Sequence, residues 1–586
     1  MGNDKKHQFT HSNTRRRASV VYGSDGKGGI FVPSDFITAG PDDGAEDESI
    51  IRRDEESAVG FSETEPLLAP NGRKFSKHRK SSVARELIEE ERELLKSHNI
   101  NVGADEDEVI DAFENAVINK QLEETTWQIE LVSLFKASIP LVVTFLLQMS
   151  LSTVSVFTVG HLGATELAAV SMGSMTANIT GYATIQGIST ALDTLCPQAF
   201  GAKKYTLVGA YIQKCIALIV VVMLPILVIW VFFGYGLICL IVPDKETAKL
   251  AAVYLKYIAP GIPAYIAFEC GKRFLQAQGI FHISTYVLLI AAPSNLVMNI
   301  FLVNRIGYLG APIAVAINYW IMALGLIVSI VFFIDKDQTP SGIHPLSCWG
   351  GLNVRQAFTG WKKLASLALP GLVMLEAEFL AFEILTLMAS YLGTVALAAQ
   401  SIGTTMAALA YQVPFAIGIA SSTRIANFLG AGLVSAARTS TKVSISFGLV
   451  ISILNFLVLF CFQTQIAQAF TKDEDVIRTV GGVMWLIAIM QISDSMNANS
   501  AGCLRGQGQT KIGGIVNFVS YYMLGIPLSI YITFYSRFGG TLHGLWFGSF
   551  VALTVIGVVQ SYYALCADFE QLCENAKKNT TVEHHY

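Results

Sequence analysis

The 586-residue chain is 52% hydrophobic and 15% charged, and its formal net charge at pH 7 is -4. The charged residues are crowded into the two ends and the short connections between long apolar runs, as in a protein that spans a membrane many times. The chain has no Gly-Lys-Ser/Thr phosphate-binding loop and therefore no sign of an ATP-hydrolysing domain. Its nine cysteines are scattered singly, without Cys-x-x-Cys pairs, so no metal site and no cofactor are expected.

The first 125 residues have a different composition, rich in charged residues, Ser, Gly and Pro, with no apolar run that could be a signal peptide or a span. We predict that 1–125 is a cytosolic tail, disordered over most of its length. Its stretch ETEPLL, from Glu63 to Leu68, fits the acidic dileucine pattern that sorting adaptors bind on proteins of lysosome-like compartments. The alternative is ordinary tail sequence, because the pattern is short.

Twelve apolar runs follow, and each is long enough to cross about 30 Å of hydrocarbon as an α-helix. They lie at 135–157, 167–190, 208–233, 249–270, 282–303, 310–334, 365–388, 396–420, 443–463, 478–498, 514–535 and 544–566. Strands of a membrane barrel would be shorter and would alternate in polarity. We therefore predict an all-α polytopic membrane protein with an N-lobe over 130–335, a cytosolic connector over 336–362, a C-lobe over 363–566 and a cytosolic tail over 567–586.

The two lobes have related sequences. LGATELAAVSMG begins at Leu162, and LGTVALAAQSIG begins 230 positions later at Leu392. IPLVV around Pro140 recurs as LPGLV around Pro370, and FLQAQG recurs as CLRGQG, in the same order and at nearly the same interval. This pattern indicates an internal duplication. Because each half has six spans, both halves enter the membrane in the same direction, which predicts parallel repeats.

The basic residues of the short loops predict the orientation of the chain. Those on the side shared with both termini are Lys203, Lys204, Lys272, Arg273, Lys336, Arg355, Lys362, Lys363, Arg424, Arg438, Lys442, Arg505 and Lys511. Those on the other side are chiefly Lys245, Lys249, Arg305, Lys472 and Arg537. Both termini are therefore predicted to be cytosolic.

Four acidic residues lie within predicted spans of the second half. Glu376, Glu378 and Glu383 belong to the seventh span, and Asp494 belongs to the tenth. A charge at the centre of a bilayer costs about 2.5–3.5 kcal/mol by insertion scales, so such residues indicate a functional site. Their first-half equivalents are Leu146, Gln148, Thr153 and Tyr265. Because a requirement of the scaffold would tend to appear in both halves, the asymmetry favours a specific role in the second half.

An apolar environment favours the neutral form of a carboxyl group, which can then bind and release a proton or a cation. The alternative is a permanently protonated acid that bonds to a neighbouring helix. Helical geometry places Glu376 and Glu383 on one stripe and Glu378 nearly opposite, so the three share one cavity only if the helix bends. We predict that a substrate cavity is lined by Gln148, Tyr265, Thr405, Tyr411 and Asn497.

Two first-half acids have a structural interpretation. Glu269 lies beside Lys272 and Arg273 near the cytosolic end of the fourth span, where an ion pair is expected. Asp193 also lies near a cytosolic helix end, and we interpret it as structural.

The chain resembles the multidrug and toxic compound extrusion (MATE) family, in particular its eukaryotic, fungal-like branch. The stretches LDTLCPQAFGAKKY, SSTRIANFLGAG and CLRGQGQTKIGG are similar to the cytosolic signatures of the family, and the resemblance extends over about 130–566. It implies two six-helix lobes around a central cavity that faces each side of the membrane in turn and exchanges a substrate for protons or sodium. It also implies that Glu378, Glu383 and Asp494 are coupling residues, whereas Glu376 matches no family position.

The sequence departs from the family pattern at two places. Thr405 stands where many animal members carry a glutamate in the eighth helix. Phe379 and Leu380 stand where eukaryotic relatives often carry a tryptophan pair. The substrate range is therefore left open.

On this basis we expect an antiporter, not an enzyme, that exports or sequesters small organic, cationic or xenobiotic solutes. Protons are preferred to sodium as the coupling ion. The expected partners are a small-molecule substrate, the lipid bilayer and a sorting adaptor at Glu63 to Leu68, with no nucleic acid and a monomeric transport unit. The vacuolar membrane is preferred to the plasma membrane. The alternatives are a flippase for lipid-linked precursors, which should have a basic cavity, and a channel.

Overall fold

The computed structural model describes residues 125–580 except 161, 240–243, 335–338, 340–342, 471–473 and 537–540, and four isolated earlier residues. The predicted disordered tail and the stretch Glu63 to Leu68 lie outside the described residues. Residues 125–580 belong to one structural unit. The secondary structure within this part of the chain is helical, and no strand occurs in it.

The first half contains six helices. They are α1 (Trp127–Val159), α2 (164–201), α3 (Tyr205–Cys239), α4 (Lys245–Ala277), α5 (His282–Ile306) and α6 (310–333). α2 is built from Ala164–Ala177, a π-helical turn at Asn178–Tyr182, Ala183–Ser189 and Leu192–Gly201.

The second half repeats this order. Its helices are α7 (Lys362–Ser390), α8 (Thr394–Ala431), α9 (Val434–Cys461), α10 (Glu474–Gly506), α11 (Thr510–Tyr535) and α12 (Leu542–Leu565). Between the halves lie a 3-10 turn, Pro345–Cys348, and a single helical turn, Val354–Ala357. A last helix, α13, spans Phe569–Thr580.

Nine stretches of the described residues are long and apolar enough to cross a membrane by length and composition alone. One of them, His282–Phe333, contains both α5 and α6, so these stretches account for all the predicted spans except the second and the seventh. α2 and α7 are helical at those two positions. All twelve predicted spans therefore correspond to helices.

The helix ends differ from the prediction on the side of the termini. α1 begins at Trp127 rather than at 135, α2 ends at Gly201 rather than at 190, and α8 ends at Ala431 rather than at 420. At about 1.5 Å per residue, the 33 residues of α1 are much longer than the hydrocarbon layer. The additional turns carry polar residues that are buried between the two lobes, where hydropathy does not detect them.

We call this side of the molecule the basic face, because it carries the loops 202–204, 278–281, 432–433 and 507–509, together with the connector. α2 and α8 cross at this face with their backbones in contact. The carbonyl oxygen of Asn427 occupies the space where Gly201 would carry a Cβ, and the carbonyl oxygen of Gln198 does the same at Gly430. Since the two glycines are repeat equivalents, the crossing follows the pseudo-symmetry of the duplication.

A buried ion pair joins the same two lobes. The guanidinium of Arg424 on α8 donates to both carboxylate oxygens of Glu130 on α1, at 2.5 and 2.6 Å. The hydroxyl of Thr125 donates to the same carboxylate at 2.7 Å. The beginning of α1 is therefore bound to the C-lobe.

The C-terminal segment, predicted only as a tail, contains the helix α13, which bridges the lobes at the basic face. Its apolar side, formed by Phe569, Leu572, Cys573 and Ala576, is buried. At its end, the side chain of Asn579 donates to Gln198 on α2 at 3.1 Å, and Lys363 on α7 donates to the Lys578 carbonyl at 2.9 Å. Hydropathy does not reveal α13, because a 12-residue amphipathic helix has too few apolar residues to resemble a span.

Replacing Gly430 with alanine should destabilise the fold by about 1–3 kcal/mol, because the new Cβ overlaps the Gln198 carbonyl oxygen and overpacking costs energy of this order. Thermal unfolding of the purified protein in detergent measures this effect. The matched control is Gly482→Ala in α10, where the Cβ position has open space and replacing a helical glycine gains up to about 1 kcal/mol. Equal stability of the two variants would contradict the backbone contact.

Two exposed cysteines offer a test of the orientation. Cys566 follows α12 at the basic face, whereas Cys461 ends α9 at the opposite face. If the basic face is cytosolic, an impermeant maleimide added to the cytosolic side should label Cys566 and should reach Cys461 only after the membrane is opened. Labelling in the reverse order would overturn the orientation. Cys348 in the connector should stay unlabelled, because burial raises the pKa of its thiol to about 12 and only the thiolate reacts.

Candidate functional site

The predicted acids Glu378 and Asp494 come together in the C-lobe. Asp494 lies on α10 and is only 3% exposed, and Asn497 follows it by one helical turn. The side-chain amide of Asn497 donates to Glu378 Oε2 on α7 at 3.5 Å. The carboxyl groups of Glu378 and Asp494 are also close enough to interact electrostatically. α7 and α10 therefore hold one carboxyl pair with an amide beside it.

Several polar atoms around this pair are buried without a hydrogen-bond partner among the described residues. They are Asp494 Oδ1, both side-chain polar atoms of Gln491, Asn497 Oδ1 and the hydroxyl of Tyr521. Buried polar groups in proteins are nearly always satisfied by protein, water or a ligand. These unsatisfied atoms are therefore available to bind a proton, water or a polar group of a ligand.

Aromatic side chains surround the carboxyl pair. Both carboxyl groups lie within electrostatic reach of Tyr411 on α8 and Tyr521 on α11. The ring of Tyr411 stacks on Phe415, with 5.6 Å between centroids. Aromatic faces next to carboxylates are a suitable environment for an organic cation.

Glu376 and Glu383 do not join this pair through any hydrogen bond of the described residues. Glu376 points to the N-lobe, where the hydroxyl of Thr184 on α2 donates to it at 3.3 Å. Glu383 is half-buried, and its carboxylate has no hydrogen bond or ion pair within the described part of the chain. As helical geometry predicts, Glu376 and Glu378 lie on different sides of α7.

Of the other predicted cavity residues, Gln148 and Tyr265 lie in the N-lobe, at the positions equivalent to Glu378 and Asp494. The amide of Gln148 donates to the Tyr265 hydroxyl at 3.3 Å and to Glu269 at 2.7 Å. Lys272 donates to the Gln148 oxygen at 3.2 Å. Thr405 is half-buried, and its hydroxyl donates to the Ser401 carbonyl at 2.8 Å.

The ion pair expected at Glu269 is present and belongs to a larger cluster. Glu269 binds Lys272 at 2.9 Å and Arg273 at 2.6 Å. Arg273 also binds Asp193 at 3.1 Å, and the other oxygen of Asp193 lies 3.8 Å from Arg505 Nε on α10. These ion pairs agree with a structural role of Asp193, and they link the N-lobe to the helix that carries Asp494.

The buried acids fall into two groups. Glu130, Asp193 and Glu269 each form an ion pair with an arginine or a lysine. Glu376, Glu378, Glu383 and Asp494 form none with any described residue. No group of three or more His, Cys, Asp and Glu residues that could hold a metal ion occurs in the same part of the chain.

Gln491, Tyr521 and the contact between Arg505 and Asp193 were not predicted from the sequence. Gln491 precedes Asp494 by three residues on one helix, so helical spacing could have identified it. Tyr521 lies in the π-helical turn Ser520–Gly525, which shifts the helical register. Arg505 and Asp193 are too distant in the sequence for any local pattern to connect them.

Comparisons with known proteins agree with this architecture. A family model described as MatE matches residues 140–301 and 370–531. The two matches begin 230 residues apart, which is the interval of the sequence repeat and confirms the duplication. A eukaryotic MATE transporter, AtDTX14, has a solved structure with a TM-score of 0.72 and 25% identity, covering 78% of this chain and 100% of that one.

Curated relatives come from fungi, plants and animals. The chain is 44% identical over 456 residues to an uncharacterized transporter of Saccharomyces cerevisiae, covering 77% of this chain and 64% of the relative. It is 32% identical over 431 residues to multidrug and toxin extrusion protein 2 of Mus musculus, covering 73% of each. The chain therefore belongs to the MATE family and is a polytopic membrane transporter, not an enzyme, with twelve transmembrane helices in two parallel repeats.

Proposed function

We propose that this transporter is an antiporter that exchanges small organic, mainly cationic solutes for protons by alternating access. One observation carries the proposal. The buried acids at the contact between the lobes, which we call the seam, and in the N-lobe have cationic partners. The four acids of α7 and α10 have none among the described residues. An acid with a fixed cationic partner remains ionised, while an acid without one can gain and lose a proton.

The carboxyl pair of Glu378 and Asp494 is the centre of this exchange. An isolated carboxylate in an apolar environment is costly, so without a bound cation the protonated form is favoured. A cationic substrate compensates the ionised form. Because a proton and a cation neutralise the same carboxylate, binding of one opposes binding of the other, which is the requirement for antiport.

Protons are preferred to sodium as the coupling ion. Asn497 presents its NH2 group to Glu378, which places a donor rather than a ligand next to the carboxylate. A proton on the other oxygen of Glu378 is compatible with this arrangement. Glu383 is a second proton site on α7, and Glu376 has a smaller role because its carboxylate faces α2.

The contact between the lobes is the element that changes during alternating access. The interlobe hydrogen bonds, ion pairs and ring contacts of the described residues extend from about the middle of the helices, at Met149 and Gln412, to α13 at the basic face. A ligand shifts such an equilibrium only if it binds the two states with different affinity. Protons and substrate therefore drive transport through their different affinities for the states open to either side.

The name of the mouse relative, multidrug and toxin extrusion protein 2, supports a broad range of organic substrates. The aromatic surroundings of the carboxyl pair, Tyr411, Phe415 and Tyr521, also support it, because stacking and cation–π contacts tolerate different shapes. Thr405 and the pair Phe379 and Leu380 set this chain apart from the family pattern and would affect which substrates it accepts.

Asp494→Asn and Glu378→Gln should each abolish substrate accumulation driven by a pH gradient, because the amides keep the shape of the site but cannot titrate. The measurement is uptake and counterflow in proteoliposomes with a panel of organic cations. Glu376→Gln is the matched control on the same helix and should lose much less. Normal pH-driven accumulation by both Asp494→Asn and Glu378→Gln would show that these carboxyl groups are structural.

We also place the transporter in the vacuolar membrane, with both termini in the cytosol. The support is the acidic dileucine stretch, in which Glu63 precedes Leu67 by four residues. Replacing Leu67 and Leu68 with alanine should move a fluorescently tagged protein to the cell surface. Replacing Val20 and Val21, an aliphatic pair of the same tail, should not. Unchanged placement of the Leu67 and Leu68 variant would remove the support for this location.

A further inference from the structure

A buried cluster of five charged side chains lies between α2, α4 and α10. Its members are Asp193, Glu269, Lys272, Arg273 and Arg505, each at most 6% exposed. Three are cations and two are carboxylates, so the fully ionised cluster has an excess of one positive charge. Because charge in a membrane interior is expensive, this excess requires a nearby negative charge in at least one state of the transporter.

Arg505 is the least compensated cation of the cluster. Glu269 binds both Lys272 and Arg273 at hydrogen-bond distance, and Arg273 also donates to Asp193. Arg505 Nε lies 3.8 Å from Asp193 Oδ2. Three polar atoms of this contact have no hydrogen-bond partner among the described residues. They are Arg505 Nε, Arg505 Nη2 and Asp193 Oδ2. The excess charge is therefore located mainly at Arg505.

Arg505 lies on the same helix as Asp494, about three turns further on. The side chain of a helical residue is inclined towards the helix N-terminus, which for Arg505 is the direction of the carboxyl pair. Its guanidinium lies over the ring of Phe415 at 5.7 Å. Phe415 in turn stacks on Tyr411, which lies near Glu378 and Asp494, and a low dielectric extends the reach of the Arg505 charge.

We propose that Arg505 is a positioning residue for proton exchange: it is the counter-charge that stabilises the ionised carboxyl pair, and Asp193 controls how much of that charge is available. This inference rests on the proposed antiport function. While the lobes are closed at the basic face, Asp193 partly neutralises Arg505, and the carboxyl pair retains its proton. When the lobes separate at this face, Arg505 loses Asp193, and its charge favours proton release to that side.

The other titratable and charged groups near the pair do not supply a positive charge. α7 contributes Glu376 and Glu383, α8 contributes Tyr411, and α11 contributes Tyr521 and Tyr522. Tyrosines are neutral at physiological pH, and the glutamates are acidic. Among the described groups, the positive charge that reaches Glu378 is that of Arg505.

The test compares the pH profiles of substrate uptake by Arg505→Gln and Asp193→Asn in proteoliposomes. Removing the positive charge should move the midpoint of proton release to higher pH. Removing the negative charge should move it to lower pH, in both cases by on the order of one pH unit. Glutamine is a suitable replacement, because Gln276 occupies the equivalent position of the first repeat. Arg505→Lys should restore most of the wild-type profile, because it keeps the charge.

The matched control is Glu130→Gln, which removes the other interlobe ion pair and should reduce transport without moving the midpoint. A purely structural role of Arg505 predicts lower activity for both cluster variants without opposite shifts, and that result would overturn the proposal. If Arg505→Gln does not fold, Asp193→Asn decides alone, since a midpoint that stays or rises contradicts the inference.

The experiment also separates this inference from the proposed function. If wild-type uptake does not depend on pH, the antiport function itself fails. If wild-type uptake depends on pH and Glu378→Gln abolishes it, while the cluster variants keep the wild-type midpoint, only the role of Arg505 is wrong.

Discussion

An ionised side chain inside the hydrocarbon layer must be paired with an opposite charge or must lose its own charge, and the two lobes meet this constraint differently. In the N-lobe, Glu269 is held by Lys272 and Arg273, and a glutamine occupies the position equivalent to Glu378. In the C-lobe, Glu378 and Asp494 have no such partner among the residues that the structure describes. On the proposed function, the charge of the N-lobe cluster is fixed, whereas the charge of the carboxyl pair in the C-lobe can change.

The seam between the lobes combines two kinds of contact with different physical consequences. The backbone approach at Gly201 and Gly430 gives close dispersion contact that depends on shape. The ion pairs of Glu130 and Asp193 contribute less to net stability, because burying charge offsets much of their attraction, but breaking one leaves an expensive unpaired charge. On the proposed function, such an interface between the lobes has two states, one closed with paired charges and one separated with hydrated charges.

The sequence was sufficient to predict the parts of the molecule that depend on local pattern. Hydropathy located the twelve spans, and the repeat identified Glu376, Glu378, Glu383 and Asp494 as acids that occur in one half only. The helix ends were wrong because α2 and α8 continue into the seam, where polar residues are satisfied by the other lobe. The contact of Arg505 with Asp193 was missed for a related reason: it joins two repeats, and no periodicity encodes a contact across their interface.

Charge counting connects the seam to the site. With both carboxyl groups of the pair ionised, the site carries two negative charges, and the adjacent cluster carries one positive charge. On the proposed function, binding of either one proton or one monovalent cationic substrate makes the combined charge of the site and the cluster zero. The two ligands therefore have the same electrostatic effect at the same site. The positive charge of Arg505 also weakens the attraction of the pair for a cation. A substrate held by two fully uncompensated carboxylates would be released slowly, whereas a partly compensated pair binds and releases within one cycle.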